Sequence, residues 1–264
     1  MFSVLMSVYA DESPRYLEEC LQSLVEQTLV AEEVILVEDG PISTELSRVI
    51  SEFESKLNIV SVRLEKNNGL AAALNAGLNH CSFDLVVRMD TDDVSVFDRF
   101  EKQVKFMNGN PEVAVLSGFV EEWDENMSEK LDVRNLPSSH AEILSFAKHR
   151  CPMSHPAVVY RKEAVLSVGG YPSIYPEDYP LWCLLLSKGY KMANLQEVLV
   201  KMRVGDGFMS RRGRSFYEGE VKVFKYLVKI GFINRFQMHF NVYSRLLLRL
   251  SPDFMKKVFY KLAR

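Results

Sequence analysis

Residues 84–93 read Asp84-Leu85-Val86-Val87-Arg88-Met89-Asp90-Thr91-Asp92-Asp93, a short and largely apolar run that ends in three carboxylates within four residues. The apolar part has the length of a buried strand, so the acidic cluster falls at a strand's carboxyl end. Three segments of the same kind precede it. Phe2–Tyr9 stops before Asp11, Glu33–Val37 runs into Glu38-Asp39-Gly40, and Ile59–Leu64 is the third. Helical patterns lie between them. Ser13 offers an N-cap and Pro14 a first-turn proline ahead of Leu17, Leu21, Leu24 and Val25. Thr44 can cap a helix carrying Leu46, Val49, Ile50 and Phe53, and Gly69–Cys81 is rich in Ala and Leu. Strands separated by helices of this length imply right-handed crossovers and a parallel sheet covered on both faces, an α/β fold.

Beyond about residue 110 the alternation loosens. Val113–Val120 and Ala157–Tyr160 read as strands, residues 167–171 as a turn, and Tyr179–Lys188 as a helix stopped by Gly189. From Ser215 the pattern is helical, interrupted by Gly231 and by Pro252, which starts a last helix. The expected organisation is a unit over residues 1–205, with a nucleotide-binding half (1–110) and an acceptor half (111–205). A basic amphipathic helical tail over 206–264 would follow.

The 264 residues are 47% hydrophobic and 25% charged, which excludes a disordered or fibrous chain. A net charge of −3 excludes a nucleic-acid-binding polycation, so no nucleic-acid partner is expected. The average hides an asymmetry. Residues 201–264 carry 15 Lys and Arg against 4 Asp and Glu, whereas residues 1–200 carry 17 against 31. The tail therefore favours an anionic surface, or packs its basic helices on the acidic body. The four cysteines form no C-x-x-C pair, which argues against a zinc knuckle or a redox dithiol and fits a reducing compartment. No apolar run approaches the roughly 20 residues of a membrane-spanning helix. Met1–Ala10 has no basic residues ahead of it and reads as a buried strand, not a signal peptide, so a cytoplasmic location is expected.

Open parallel sheets bind ligands beyond the carboxyl ends of their strands. Three polar clusters fall there: Ser7-Val8-Tyr9, Glu38-Asp39-Gly40 and Asp90-x-Asp92-Asp93. Carboxylates this close repel one another unless a cation or a solvated turn relieves them. Mg²⁺ and Mn²⁺ favour carboxylate oxygen while keeping water and phosphate as further ligands. The cluster thus reads as a metal–diphosphate site, with an acidic turn capping a helix around Phe97–Met107 as the plain alternative. Asp39 can accept a hydrogen bond from a nucleobase imide, with Gly40 permitting a tight turn, although an acid-Gly turn alone would look the same. Asn67-Asn68-Gly69 precedes a helix whose first amides can face a phosphate or sugar, or simply be capped. Glu177-Asp178 opens an apolar helix, either as dipole compensation or as a general base; the residues alone leave both open. His155-Pro156 lies in an irregular stretch, where a lone histidine is commonly a packing residue.

Taken in order, S-V-Y (7–9), E-D-G (38–40), N-N-G-L-A-A-A-L-N-A-G-L (67–78), M-D-T-D-D (89–93), H-P (155–156), G-G-Y (169–171) and E-D-Y-x-L-W (177–182) resemble inverting family 2 glycosyltransferases. More narrowly, they resemble the bacterial enzymes that assemble O-antigen, capsule or amylovoran-type exopolysaccharide. The resemblance covers roughly residues 1–205 and implies the A-type glycosyltransferase fold, a Rossmann-like and mainly parallel sheet flanked by helices. It implies a UDP-sugar donor, most often a UDP-hexose, with Ser7, Tyr9 and Asp39 holding the nucleoside. Asp90 would touch the ribose or metal region, and Asp92 would bind Mn²⁺ or Mg²⁺. Asp178 would be the catalytic base with Glu177 beside it, and Asn68 and His155 would belong to the sugar and acceptor pockets. Glu38 departs from the commoner Asp, and Ser154 from the commoner Asn before His-Pro. No Gln-x-x-Arg-Trp segment follows Asp178, so a single-addition enzyme is implied. The basic tail then suits a polyprenyl-diphosphate-linked saccharide acceptor at the inner face of the plasma membrane.

Other readings fit less well. A nucleotidyltransferase usually has a glycine- and lysine-rich loop near its first strand, which residues 7–13 lack. A phosphatase of the Asp-nucleophile type has Asp-Gly-Thr where this chain has Asp93-Val94 after Asp92. A non-catalytic membrane scaffold would have no reason to keep both Asp92 and Asp178.

Overall fold

In the computed structural model, which describes residues 1–205 and 214–250, strand β1 (Ser3–Val8) sits between two parallel neighbours. Its side chains alternate between faces, as the period of a strand requires. Val4, Met6 and Val8 join a core with Leu17, Leu21 and Leu24 of helix α1 (Pro14–Val25) and with Leu46, Val49, Ile50 and Phe53 of α2 (Thr44–Phe53). Leu5 belongs to the opposite core, with Ala73, Leu74 and Leu78 of α3 (Leu70–His80). Gly77 lets α3 lie this close, since a Cβ there would fall 2.4 Å from Leu5 Cδ1 and 2.6 Å from Val37 Cγ2.

β2 (Glu33–Glu38), β3 (Ile59–Arg63) and β4 (Leu85–Arg88) complete a parallel set in the order β3-β2-β1-β4. This is the layout expected from the alternation. Two caps differ in detail. Ser43 caps α2, its hydroxyl accepting from the Leu46 N–H at 3.2 Å, because the helix begins one residue before the expected Thr44 cap would allow. Ser13 holds the cap position of α1 but makes no side-chain capping bond; Pro14 alone presets that first turn.

The second half comprises β5 (Val94–Ser95), α4 (Arg99–Gly109), β6 (Val113–Trp123), β7 (Lys130–Arg134), α5 (His140–Phe146), a 3₁₀ turn at His155–Ala157, β8 (Val159–Arg161), α6 (Lys162–Ser167), α7 (Asp178–Ser187) and β9 (Lys191–Arg203). The sheet continues from β4 as β8-β6-β9-β5, with β7 beside β6. Here the mainly parallel expectation gives way to a mixed arrangement. β8 runs antiparallel to both β4 and β6, and β7 is antiparallel to β6. The cause is local for the last pair: Asp124 and Glu129 close a short turn that leaves no room for a crossover helix.

Two helices follow, α8 (Arg214–Lys229) and α9 (Arg235–Leu250), separated at Gly231 with φ +73°. Val223, Phe224 and Leu227 of α8 enter the same core as Trp182 and Leu185 of α7. Lys222, Lys225 and Lys229 remain exposed on α8, and Phe236, Phe240 and Tyr243 on α9. The helix expected after Pro252, and the basic residues Arg211, Arg212, Lys256, Lys257 and Lys261, lie outside the described residues.

Candidate active site

Because β1 lies between β2 and β4, the loops after these three strands adjoin at one end of the sheet. Asp39 is buried there, its N–H bonded to the Val8 carbonyl at 2.8 Å. Its carboxylate accepts from the Asn68 N–H at 2.8 Å and the Gly69 N–H at 3.0 Å, so it fastens the 67–69 loop and the start of α3 to the end of β2. Gly40 has φ +88°, and a Cβ on it would lie 2.6 Å from Asn67 N; this turn admits no other residue without strain. The Asn68 side chain turns back to the Lys66 carbonyl at 2.9 Å. Ser7 is half-buried, with its carbonyl near Thr91 Oγ1 at 3.4 Å, and Tyr9 is exposed.

The acidic turn follows β4. One oxygen each from Asp90, Asp92 and Asp93 lies within 4.8 Å of the others. Burial, reinforced by the charges of Asp90 and Glu12, pushes the Asp92 carboxyl up to about 7. Burial and the charges of Asp92 and Asp90 also push the Asp93 carboxyl well above the usual carboxylate range. Asp93 Oδ1 accepts from the Arg203 N–H at 2.9 Å, while Oδ2 is buried with no partner among the described residues. Carboxylates that resist ionising together, one with an unmatched buried oxygen, are a donor set that a hard divalent cation fits.

Arg88 carries no motif signal, yet it ends β4 just before the acidic turn. It is almost completely buried and forms a two-pronged ion pair with Asp90. A fork of this kind fixes the carboxylate's plane as well as its charge. Arg99 lies behind it, donating to the Arg88 carbonyl at 2.8 Å and to Gln103 Oε1 at 2.9 Å. Burial and the like charge of Arg88 lower the Arg99 guanidinium to about 9. Arg88 leads directly into the turn, two positions before Asp90, while folding brings Arg99 of α4 back against it.

Glu177 and Asp178, at the start of α7, face the same region. Both carboxyls are raised: Glu177 to about 7 by burial and the adjacent Asp178, and Asp178 by burial against the opposing thiol of Cys151, which donates to its Oδ2 at 3.2 Å. The charges of Arg88 and Asp90 act on Glu177, which ties the pair spatially to the acidic turn. His155 is buried with its ring 5.5 Å from that of Tyr171 and 6.0 Å from that of Trp182. Its Nε2 lies 3.2 Å from the Tyr171 hydroxyl and its Nδ1 3.8 Å from Glu177 Oε1. Burial holds its pKa well below the ordinary range, so the ring is neutral and the Glu177 contact is not an ion pair.

An acidic turn beyond a parallel strand thus shares its site with a desolvated acid pair on a helix of the second half. The glycosyl transferase family 2 profile matches residues 3–169, and the chain belongs to that family; it is a glycosyltransferase. It is 43% identical over 266 residues to the amylovoran biosynthesis glycosyltransferase AmsE of Erwinia amylovora, covering 99% of this chain and 98% of that one. It is 40% identical over 262 residues to the Escherichia coli UDP-Gal:alpha-D-GlcNAc-diphosphoundecaprenol beta-1,3-galactosyltransferase, covering 98% and 95%. Among solved structures, S. aureus TarS 1–349 in complex with UDP-GlcNAc superposes with a TM-score of 0.66 at 19% identity, over 86% of this chain and 66% of that one. The Pyrobaculum calidifontis mannosyltransferase PcManGT, in complex with GDP-Man and Mn²⁺, gives 0.67 at 16%, over 99% and 79%. The shared fold is the A-type glycosyltransferase fold.

Proposed function

We infer that the chain moves one hexose, glucose or galactose, from a UDP-sugar to an N-acetylhexosamine-diphosphate-undecaprenol acceptor, through a β1,3 bond with inversion, in the building of a bacterial surface polysaccharide. The observation that carries this reading is the acidic turn Asp90–Asp93 facing the Glu177-Asp178 pair across Arg88. The activity that names the Escherichia coli relative supports the donor and acceptor class.

The roles follow from the chemistry. Ser7, Tyr9, Asp39 and Asn68 bind the nucleoside and sugar at the strand ends, and Asp90 orients the turn toward the ribose and diphosphate. Asp92, with Asp93 beside it, would hold Mn²⁺ or Mg²⁺, which when bound offsets the charge that grows on the departing nucleoside diphosphate. Asp178 takes the proton of the acceptor hydroxyl as that oxygen attacks the far face of the anomeric carbon; one displacement gives a β-glycoside from an α-linked donor. Glu177 stands beside the base, whose burial raises its proton affinity. His155, neutral and packed on Trp182, lines the acceptor side. Residues 1–205 form the catalytic unit in this reading.

The chain would work peripherally on the cytoplasmic face of the membrane. The exposed Lys222, Lys225 and Lys229 and the exposed Phe236, Phe240 and Tyr243 suit an anionic interface. No helix among the described residues is long and apolar enough to cross it. The test is a panel of nucleotide sugars assayed against GlcNAc- and GalNAc-diphosphate-lipid acceptors with Mn²⁺, Mg²⁺ or EDTA. Transfer from UDP-Gal or UDP-Glc that stops in EDTA is expected; full activity in excess EDTA overturns the metal assignment.

A further inference from the structure

Arg203 is the last residue of β9, and no motif marks it in the sequence, yet it makes four polar bonds, two of them to the acidic turn. Its N–H donates to Asp93 Oδ1 at 2.9 Å and its Nε to the Asp92 carbonyl at 2.8 Å. Nη1 donates to the Glu125 carbonyl at 2.7 Å in the β6–β7 turn, and Nη2 pairs with the Glu19 carboxylate on α1. The guanidinium lies over the Tyr16 ring, 4.1 Å from its centroid, and Tyr16 in turn donates to Glu125 Oε1 at 3.0 Å. The side chain is 3% exposed.

A buried guanidinium with this many partners is over-determined, and its fork cannot be reproduced by a lysine. The residue acts on the turn in two ways. Its main-chain N–H, which any residue at 203 retains, occupies Asp93 Oδ1 and leaves Oδ2, buried without a partner among the described residues, as the free oxygen; the guanidinium acts through Asp92. The bond to the Asp92 carbonyl fixes the peptide that follows the metal-binding candidate. Glu19 and Tyr16 hold the guanidinium rather than the turn, so they stand one step further out.

We propose that Arg203 is the positioning residue of the acidic turn: it presents Asp92 and Asp93 to a divalent cation and thereby sets the affinity for that cation. The proposal rests on the metal reading above but concerns a residue outside the motifs that support it. Outer partners of metal ligands typically change affinity by about 10–100-fold when lost.

The experiment is a Mn²⁺ titration of the full chain, followed by electron paramagnetic resonance with and without UDP, beside thermal unfolding. Arg203→Met should weaken Mn²⁺ binding by about 10–100-fold. Arg203→Lys keeps the charge but loses the fork, and Glu19→Gln loosens the guanidinium. Each should weaken binding by a smaller factor, at least about threefold. If Arg203→Met does not fold, the other two variants decide. A lowered melting temperature with unchanged Mn²⁺ affinity in the folded variants overturns the proposal and makes Arg203 a packing residue. Wild-type chain that binds no Mn²⁺, with or without UDP, overturns the metal reading and the proposal together, so the two failures are distinguishable.

Discussion

The loops after β1, β2 and β4 and the start of α7 meet at one site but are held in place differently. The first group is secured by main chain: Asp39 takes two backbone amides, and Gly40 turns where a side chain would collide. The second is secured by side-chain packing, with His155 among Tyr171 and Trp182 and the Cys151 thiol on Asp178. Backbone fastening fixes where the first loops stand, whereas aromatic packing encloses the acid pair on α7; burial raises carboxyls on both sides, Asp92 as well as Glu177. In the proposed reading the first side binds the donor and the second supplies the base.

The most severe test of that division is Asp92→Ala. Loss of metal-assisted charge stabilisation, worth several kcal/mol, should cut transfer about a thousandfold or more and remove Mn²⁺-dependent nucleotide binding as well. Calorimetry with UDP-sugar beside the transfer rate measures both, and an intact nucleotide affinity would break the comparison. Asp178→Asn comes next. It should lower turnover by about 10²–10⁴-fold with donor affinity nearly unchanged, since Asn keeps the shape but cannot take the proton. Near-normal turnover would refute the base role.

The pH profile sharpens the same contrast. Burial raises Asp178 and takes Glu177 to about 7, and a base works only when deprotonated. Activity should therefore rise with pH and be lost as pH falls through the raised folded value of Asp178, with the limb of kcat/KM above the ordinary carboxylate range. A limb at about 4–5, the range of an unperturbed carboxyl, would mean the pair is wet. The smallest effect belongs to Gly40→Ala on the donor side. Forcing a side chain to φ +88° against Asn67 N should cost about 1–3 kcal/mol, seen as a melting temperature lower by a few degrees with weaker donor binding.

These two sides also differ in how legible they were. The first four strands and three helices follow from periodicity, because each crossover unit is a contiguous stretch and its site residues sit at its end. Asp39, Asp90 and Asp92 could be singled out for that reason. The second half is assembled from pieces too short or too irregular to carry a period. β8 has three residues, and β9 slips register against β6 at several points. Arg88 sits inside a strand that reads as apolar, and Arg203 ends a strand the pattern does not announce. Arg88 pairs with Asp90 only two positions on, but within a strand whose pattern hides it; the partners of Arg203 lie far along the chain, 184 positions in the case of Glu19.

β9 has one more consequence, for where the chain can change length. Near its start, the buried Asn194 side chain donates to the carbonyls of Pro137 at 2.7 Å and Pro152 at 3.1 Å, next to the His155 stretch. At its end, Arg203 grips the acidic turn. A residue inserted or deleted between them would exchange the faces of everything downstream and detach one end from its partners. Natural relatives should vary in length at exposed turns such as Glu54–Lys56 and hold the interval from Asn194 to Arg203 constant. The strand acts as a gauge block whose length is part of the site.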